Sequence, residues 1–235
     1  QFLEKTIKSV INQSYKNFEY IVIDGGSRDN SLDIIKKYEK KIDYWVSEKD
    51  KGIYDAFNKG MIVSKGEFIG FINSDDIYKK NALNIISNYI EKNKVADFIF
   101  GSVKKHWGIL HGYKPHKIKY SWGFYSSHST GFFIKRKVAE KIGFYNIKYK
   151  YHADYDYFYR LIVKNKMKGI STKKNEIVGV FRRGGFSSKI SFWKKLKEDI
   201  RIRYDNGQNI FLLILIFSNK FLRNIDQILK NIINK

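Results

Sequence analysis

An α/β fold with a largely parallel sheet flanked by helices is predicted for this 235-residue chain by three observations. Short apolar runs alternate with amphipathic stretches at βαβ spacing through the first hundred residues, and the apolar runs end in acidic or glycine-containing corners. After Gly101 the alternation gives way to an aromatic, basic region, and from residue 191 to a helical tail.

Leu3, Ile7, Val10 and Ile11 share one helical face, so a first helix is expected up to the polar Asn12, Gln13 and Ser14. The chain opens directly in that pattern, and the first strand of the sheet is expected to have been cut away. Residues 20–23 read as a buried strand stopped by Asp24, Gly25 and Gly26, whose glycines permit a tight turn. Asp29 or Ser31 suits the cap of a helix carrying Leu32, Ile35 and Tyr38 on one face. A strand over 44–47 runs into the polar corner from Glu48 to Gly52, and the next helix places Ile53, Ala56, Phe57, Gly60 and Met61 on its core side. A strand over 68–72, the adjacent Asp75 and Asp76, a helix around 82–90 and a strand over 97–100 complete the alternation. Residues 102–127 show no clear period. A strand is expected over 129–134, a helix over 136–142 closed by Gly143, a helix over 154–163 and a strand over 177–181 leading to Arg182, Arg183, Gly184 and Gly185.

With 43% hydrophobic and 17% aromatic residues the chain is not a disordered one, and without cysteine it has neither a disulfide framework nor a thiolate metal site. The longest wholly apolar run, residues 210–217, is far short of the roughly 20 residues a membrane-spanning helix needs. The net charge of +22 is unevenly distributed: residues 1–100 hold 16 Lys and Arg against 15 Asp and Glu, whereas residues 101–235 hold 29 against 8. A field of that kind draws anions, whether a phosphorylated substrate, an anionic membrane or a nucleic acid.

The chemistry is concentrated at strand ends. Asp24, Asp50 and the pair Asp75/Asp76 each follow a predicted strand, and the carboxyl ends of parallel strands lie along one edge, where open α/β sheets bind ligands. A single aspartate there is often a turn former, but adjacent carboxylates repel unless a cation compensates them. Hard oxygen donors suit Mg²⁺ or Mn²⁺ holding a diphosphate.

Four segments carry a family resemblance: Tyr15-Lys-Asn-Phe-Glu-Tyr-Ile-Val-Ile-Asp-Gly-Gly-Ser27, Ser47-Glu-Lys-Asp-Lys-Gly-Ile-Tyr-Asp-Ala-Phe-Asn-Lys-Gly60, Gly66-Glu-Phe-Ile-Gly-Phe-Ile-Asn-Ser-Asp-Asp76 and His152-Ala-Asp-Tyr-Asp-Tyr-Phe-Tyr-Arg-Leu161. In order and spacing the chain resembles an inverting family 2 glycosyltransferase of the GT-A fold over about residues 2 to 190. The resemblance implies that Asp24 reads the nucleotide base and that Asp50 and Asn58 line the nucleotide pocket. The family's Asp-x-Asp signature falls on Asn73-Ser74-Asp75, so Asn73 and Asp75 contact the nucleotide, and Asp75 or Asp76 holds Mn²⁺ or Mg²⁺. Asp154 matches the general base, with Ala153 in place of the usual Glu and Asp156 as its rival. On this reading residues 1–100 form the nucleotide-sugar-binding half, 101–190 the acceptor and catalytic half, and 191–235 a basic amphipathic tail.

The implied reaction is transfer of a sugar from a nucleotide donor, UDP-linked in the commonest case, to a glycan or lipid-linked acceptor in surface-polysaccharide assembly, at the cytoplasmic face of the membrane. The tail alternates Trp193, Leu196 and Ile200 with Lys194, Lys195, Lys197, Arg201 and Arg203, a pattern suited either to lying on an anionic membrane or to closing the core or a dimer contact. A nucleic-acid-binding protein is the alternative suggested by charge, but acidic strand ends would repel phosphate, and no nucleic acid is expected. A nucleotidyltransferase of related fold is a further alternative. Residues 128–131 and 181–188 also resemble family segments near the active site; Gly184 and Gly185 suit either a phosphate loop or a surface turn, and His152 either a structural or a binding role. His106, His111 and His116 have no metal-site spacing.

Overall fold

The computed structural model describes residues 2–120, 129–182, 184, 190–223 and 225. Helix α1 (Phe2–Ile11) leads to strand β1 (Ile21–Asp24), helix α2 (Ser31–Tyr38), β2 (Tyr44–Ser47), α3 (Ile53–Val63) and β3 (Phe68–Gly70). A two-residue strand β4 (Ile77–Tyr78), helix α4 (Ala82–Lys92) and β5 (Phe98–Phe100) follow. The stretch without period folds as a hairpin, β6 (Ser102–Lys105) and β7 (Gly108–Leu110), and a short helix α5 (Pro115–Tyr120). A 3₁₀ turn at Ser129–Gly131 enters β8 (Phe132–Lys135), then come α6 (Arg136–Ile142), α7 (Ala153–Phe158), β9 (Gly169–Ser171), β10 (Ile177–Val180), α8 (Phe192–Asp205) and α9 (Ile210–Arg223). The helix expected over 154–163 is α-helical only to Phe158 and continues as a wider π turn through Lys164.

The α/β class is borne out, and the pairing is more mixed than predicted. β1 and β2 pair in parallel, as do β5 with β9 and β6 with β10. β8, however, inserts antiparallel between β3 and β5, which run in the same direction as each other. Its wholly buried apolar residues Phe132, Phe133 and Ile134 fit that central place, and alternation decides their faces. Phe98 and Phe100 with Phe132 and Ile134 pack under α3, α6 and α7, whereas Ile99 and Phe133 pack with Ile7, Val10, Ile35 and Ile86 of α1, α2 and α4. Helices thus cover both faces. Among the described residues β1 and β3 share no ladder, and Ile21, Ile23, Ile69 and Phe71 line one cavity.

The tail is not a separate unit at its start. Leu196 and Ile202 of α8 are buried, and Arg203, 1% exposed, donates to Gln208 and to the Lys119 carbonyl at 2.7 and 3.0 Å. Of the two roles the basic pattern allowed, the start of the tail takes the core one, with Arg203 as its inward-facing charge. Residues 226–235 lie outside the described part of the chain.

Candidate active site

Register brings the site together. Gly70 of β3 opposes Phe133 of antiparallel β8, so Asn73, three residues after Gly70, and Thr130, three before Phe133, reach the same sheet edge. Likewise Val180 of β10 opposes Ile77 of β4 and, in parallel, Lys104 of β6, which places Asp76, Arg182 and Lys105 beside one another. Thr6 of α1 braces the acidic turn from below, its hydroxyl 3.0 Å from the Ser74 carbonyl and 2.7 Å from that of Asp76.

The two adjacent aspartates have different surroundings. Asp76 is fully buried and accepts hydrogen bonds from Thr130 Oγ1 (2.5 Å), Asn73 Nδ2 (3.1 Å) and the Arg182 amide (3.2 Å). Burial pushes its pKa up to about 6 against the pull of Thr130 and Arg182. The sequence offers Asp76 beside Asp75 as a metal ligand; in the structure the Asp76 oxygens are engaged in holding the turn. Asp75 keeps a quarter of its side chain exposed and lines the cavity, with Arg182 Nε 3.6 Å from its carboxylate. Asn73 gives both amide hydrogens away, to Asp76 and Ser129, while its Oδ1 is buried without a hydrogen-bond partner.

An unsatisfied buried oxygen costs about 1–3 kcal/mol, so a polar ligand there is favoured. Asn73 Oδ1 and the Asp75 carboxylate are hard oxygen donors one residue apart, which fits Mg²⁺ or Mn²⁺ held by one or two protein oxygens with substrate phosphates completing its shell. Among the described residues there is no group of three His, Cys, Asp or Glu able to hold a metal without such help.

Asp154 sits in the first turn of α7 and lines the same cavity of 1740 Å³ as Asn73, Asp75, Lys105, His152 and Arg182. Its Oδ1 accepts from the Tyr155 amide (2.9 Å) and Tyr54 Oη (3.1 Å). Burial raises its pKa, and the charge of His152 and the bond from Tyr54 counter that only in part. The rival Asp156 pairs with Arg160 Nε at 2.9 Å and accepts from Asn206 at 2.8 Å, 3% exposed. His152 pairs through Nδ1 with Asp199 of α8; burial lowers its pKa, but the Asp199 contact outweighs this and the net shift is upward.

Asn58, expected to line the nucleotide pocket, is not among the residues that line this cavity. Its amide brackets Tyr145, donating to the carbonyl at 2.9 Å and accepting from the amide at 2.8 Å. The Tyr145 ring stacks on Tyr54 and Tyr157 at 5.7 and 4.3 Å, so Asn58 supports the phenol that bonds Asp154. Asp24 and Asp50 meet at the β1–β2 edge, as predicted for strand ends, yet neither lines the cavity. Asp24 Oδ2 accepts from the Gly26 and Ser27 amides and from Ser47 Oγ, its register partner, and Oδ1 accepts from Ser27 Oγ. Burial raises the Asp24 pKa, and the bonds from Ser27 and Ser47 reverse that to a net decrease. Asp50 packs against Gly25, where any side chain would collide with its carboxylate.

Sequence reasoning missed Lys105 and Tyr54 as site residues, and placed Arg182 only within a segment near the site. Lys105 Nζ lies 4.7 Å from the Phe181 ring centre, and burial lowers its pKa while Asp76 and Asp154 attract its charge. Its signal was hidden because residues 102–127 have no helical or strand period to mark a hairpin. His128, Arg183 and residues 185–188 lie outside the described residues, so the segments 128–131 and 181–188 are only partly seen.

An α/β sheet carrying acids from both halves of the chain at one edge is the architecture of nucleotide-sugar transferases of the GT-A fold. S. aureus TarS superposes with TM-score 0.71 at 16% identity over 94% of this chain and 41% of that one. The mannosyltransferase PcManGT from Pyrobaculum calidifontis, in complex with GDP-Man and Mn²⁺, gives 0.63 at 15% over 93% and 65%. The glycosyl transferase family 2 profile matches residues 1–159, and the chain belongs to that family. An uncharacterized glycosyltransferase of Methanocaldococcus jannaschii is 28% identical over 178 residues, 70% of this chain and 61% of that protein. A Mycobacterium bovis PGL/p-HBAD biosynthesis glycosyltransferase is 26% identical over 217 residues, 85% and 80% of the two chains. The chain thus spans less than two thirds of the length of the archaeal relative and of TarS.

Proposed function

We propose that this glycosyltransferase moves a sugar, with inversion, from a UDP-linked donor to a glycan or lipid-linked acceptor in surface-polysaccharide assembly. The carrying observation is that Asn73, Asp75 and Arg182 line the same cavity as Asp154. Asp154 takes the proton from the acceptor hydroxyl as that oxygen attacks the anomeric carbon, and Tyr54 and the Tyr155 amide orient the carboxylate for it. Arg182 and Lys105 face the negative charge that grows on the departing diphosphate. Asn73 and Asp75 would hold Mg²⁺ or Mn²⁺, which when bound supplies further positive charge to that diphosphate. The Asp24 and Asp50 corner takes the nucleoside end. UDP as the nucleotide is supported by TarS 1-349, solved in complex with UDP and with UDP-GlcNAc.

Calorimetric titration of UDP with and without Mn²⁺ tests this. Binding is expected to need the metal and to weaken at least about tenfold in Asp75→Ala. A folded chain that binds no nucleoside diphosphate with Mn²⁺ present would count against the whole reading.

The lipid-linked acceptor goes with a peripheral site at the cytoplasmic membrane face. No helix of the described residues is long and apolar enough to cross a membrane. α9 nevertheless exposes Phe211 (74%), Ile214, Leu215 and Leu222, while neighbouring α8 exposes Lys194, Lys197 and Arg201. Apolar side chains flanked by cations suit an anionic bilayer. Cosedimentation with anionic vesicles is expected, to fall with added salt and to be lost in Phe211→Asp/Leu215→Asp; equal binding to neutral vesicles would argue against it.

A further inference from the structure

We infer that α8 is the strut that sets the catalytic loop, with Glu198 and Asp199 acting as positioning residues for Asp154; this rests on the reading of Asp154 as the base. Glu198 Oε1 accepts the Lys150 amide at 2.7 Å, and Oε2 accepts the amides of Tyr151 and His152 at 2.7 and 2.8 Å. Three successive amides pointing at one centre make an anion-binding concavity. Here a carboxylate of the same chain fills it.

The grip continues on both sides of that point. Asp199, next on α8 and 4% exposed, pairs with His152 Nδ1 two residues before Asp154. Asp205 accepts from Tyr149 Oη at 2.7 Å and pairs with Lys148 at 2.9 Å, and Asn206, which caps α8, donates to Asp156 at 2.8 Å. Residues 148–152 are therefore each bonded to one helix, and Asp156 to its C-terminal cap. A base loses rate steeply when displaced by about 1 Å, so the strut bears on turnover rather than on donor binding. The family profile ends at residue 159, before α8 begins, so family membership does not assign the helix this role.

The test uses the whole chain with Glu198→Ala, Glu198→Gln and Asp199→Asn. Three quantities are read: amide hydrogen exchange over 150–156, UDP affinity with Mn²⁺, and kcat and KM for hydrolysis of UDP-GlcNAc or whichever UDP-sugar a screen finds turned over, normalised to UDP-binding sites. In Glu198→Ala the amides of Lys150, Tyr151 and His152 are expected to exchange at least about tenfold faster. kcat should fall roughly 10- to 100-fold while KM and UDP affinity stay within about twofold. Glu198→Gln keeps one acceptor oxygen and should recover part of kcat, and Asp199→Asn should also lower kcat. Normalising to UDP-binding sites removes any loss due to unfolded protein. If the parent binds UDP and kcat per site is unchanged in Glu198→Ala, the strut is overturned and the donor reading stands. If the parent binds no UDP, the donor reading fails, and unchanged exchange would overturn the strut as well.

Discussion

Asp154→Asn is expected to lower turnover by roughly 10²- to 10⁴-fold, the usual contribution of a positioned general base, with UDP affinity unchanged. The substitution is nearly isosteric. Its amide oxygen still accepts from the Tyr155 amide and Tyr54 Oη, the two bonds that hold the native side chain, so only basicity is lost. The pH profile of the parent should carry the same signature. The base works ionised, and burial raises its pKa, so activity is present at neutral pH and is lost as pH falls through a pKa above the ordinary aspartate value of 3.8. Steady-state rates from pH 4 to 9 measure this. A variant with more than a tenth of parental turnover would remove Asp154 from the role.

Asp76→Ala is expected to cost about 3 kcal/mol of stability, whereas Asp75→Ala changes stability by about 0.5 kcal/mol or less. Truncating Asp76 leaves Thr130 Oγ1, Asn73 Nδ2 and the Arg182 amide without the acceptor they share, at a fully buried point that ties β3, β8 and β10. Asp75 is partly exposed and contributes one ion pair 3.6 Å long to Arg182, a contact of small value in water. For a chain of this length the Asp76 variant should melt roughly 6–12 °C lower, which thermal unfolding reads directly. Equal melting temperatures for the two variants would mean that the pair is not divided between a structural and a ligand-facing role.

Where the acids lie was legible in the chain, and what each does was not. An apolar strand ending in Asn73, Ser74, Asp75 and Asp76 signals a functional corner because no core accepts such a sequence. Yet adjacent residues look alike on paper. Only Thr130, which arrives 54 residues later at the reversed strand β8, decides that Asp76 is the buried one. Asn58 misled for a related reason: a helical Asn beside a pocket motif reads as a ligand group, but its amide closes on the Tyr145 backbone 87 residues away. The charged face of α8 suggested a surface tail, and the acids among its lysines, Glu198 and Asp199, are the ones turned toward the catalytic loop.

The sequence by itself determined the α/β class, most element positions in residues 1–100 and the family, because these depend on local periodicity and on motifs read within a few residues. The tertiary structure alone decided that β8 runs antiparallel between β3 and β5, that Lys105 and Arg182 line the same cavity as Asn73 and Asp75, and that α8 bonds the loop ahead of Asp154. Those outcomes are set by strand register and by hydrogen bonds between residues tens of positions apart, and no local pattern in a chain encodes which distant donor will meet which acceptor.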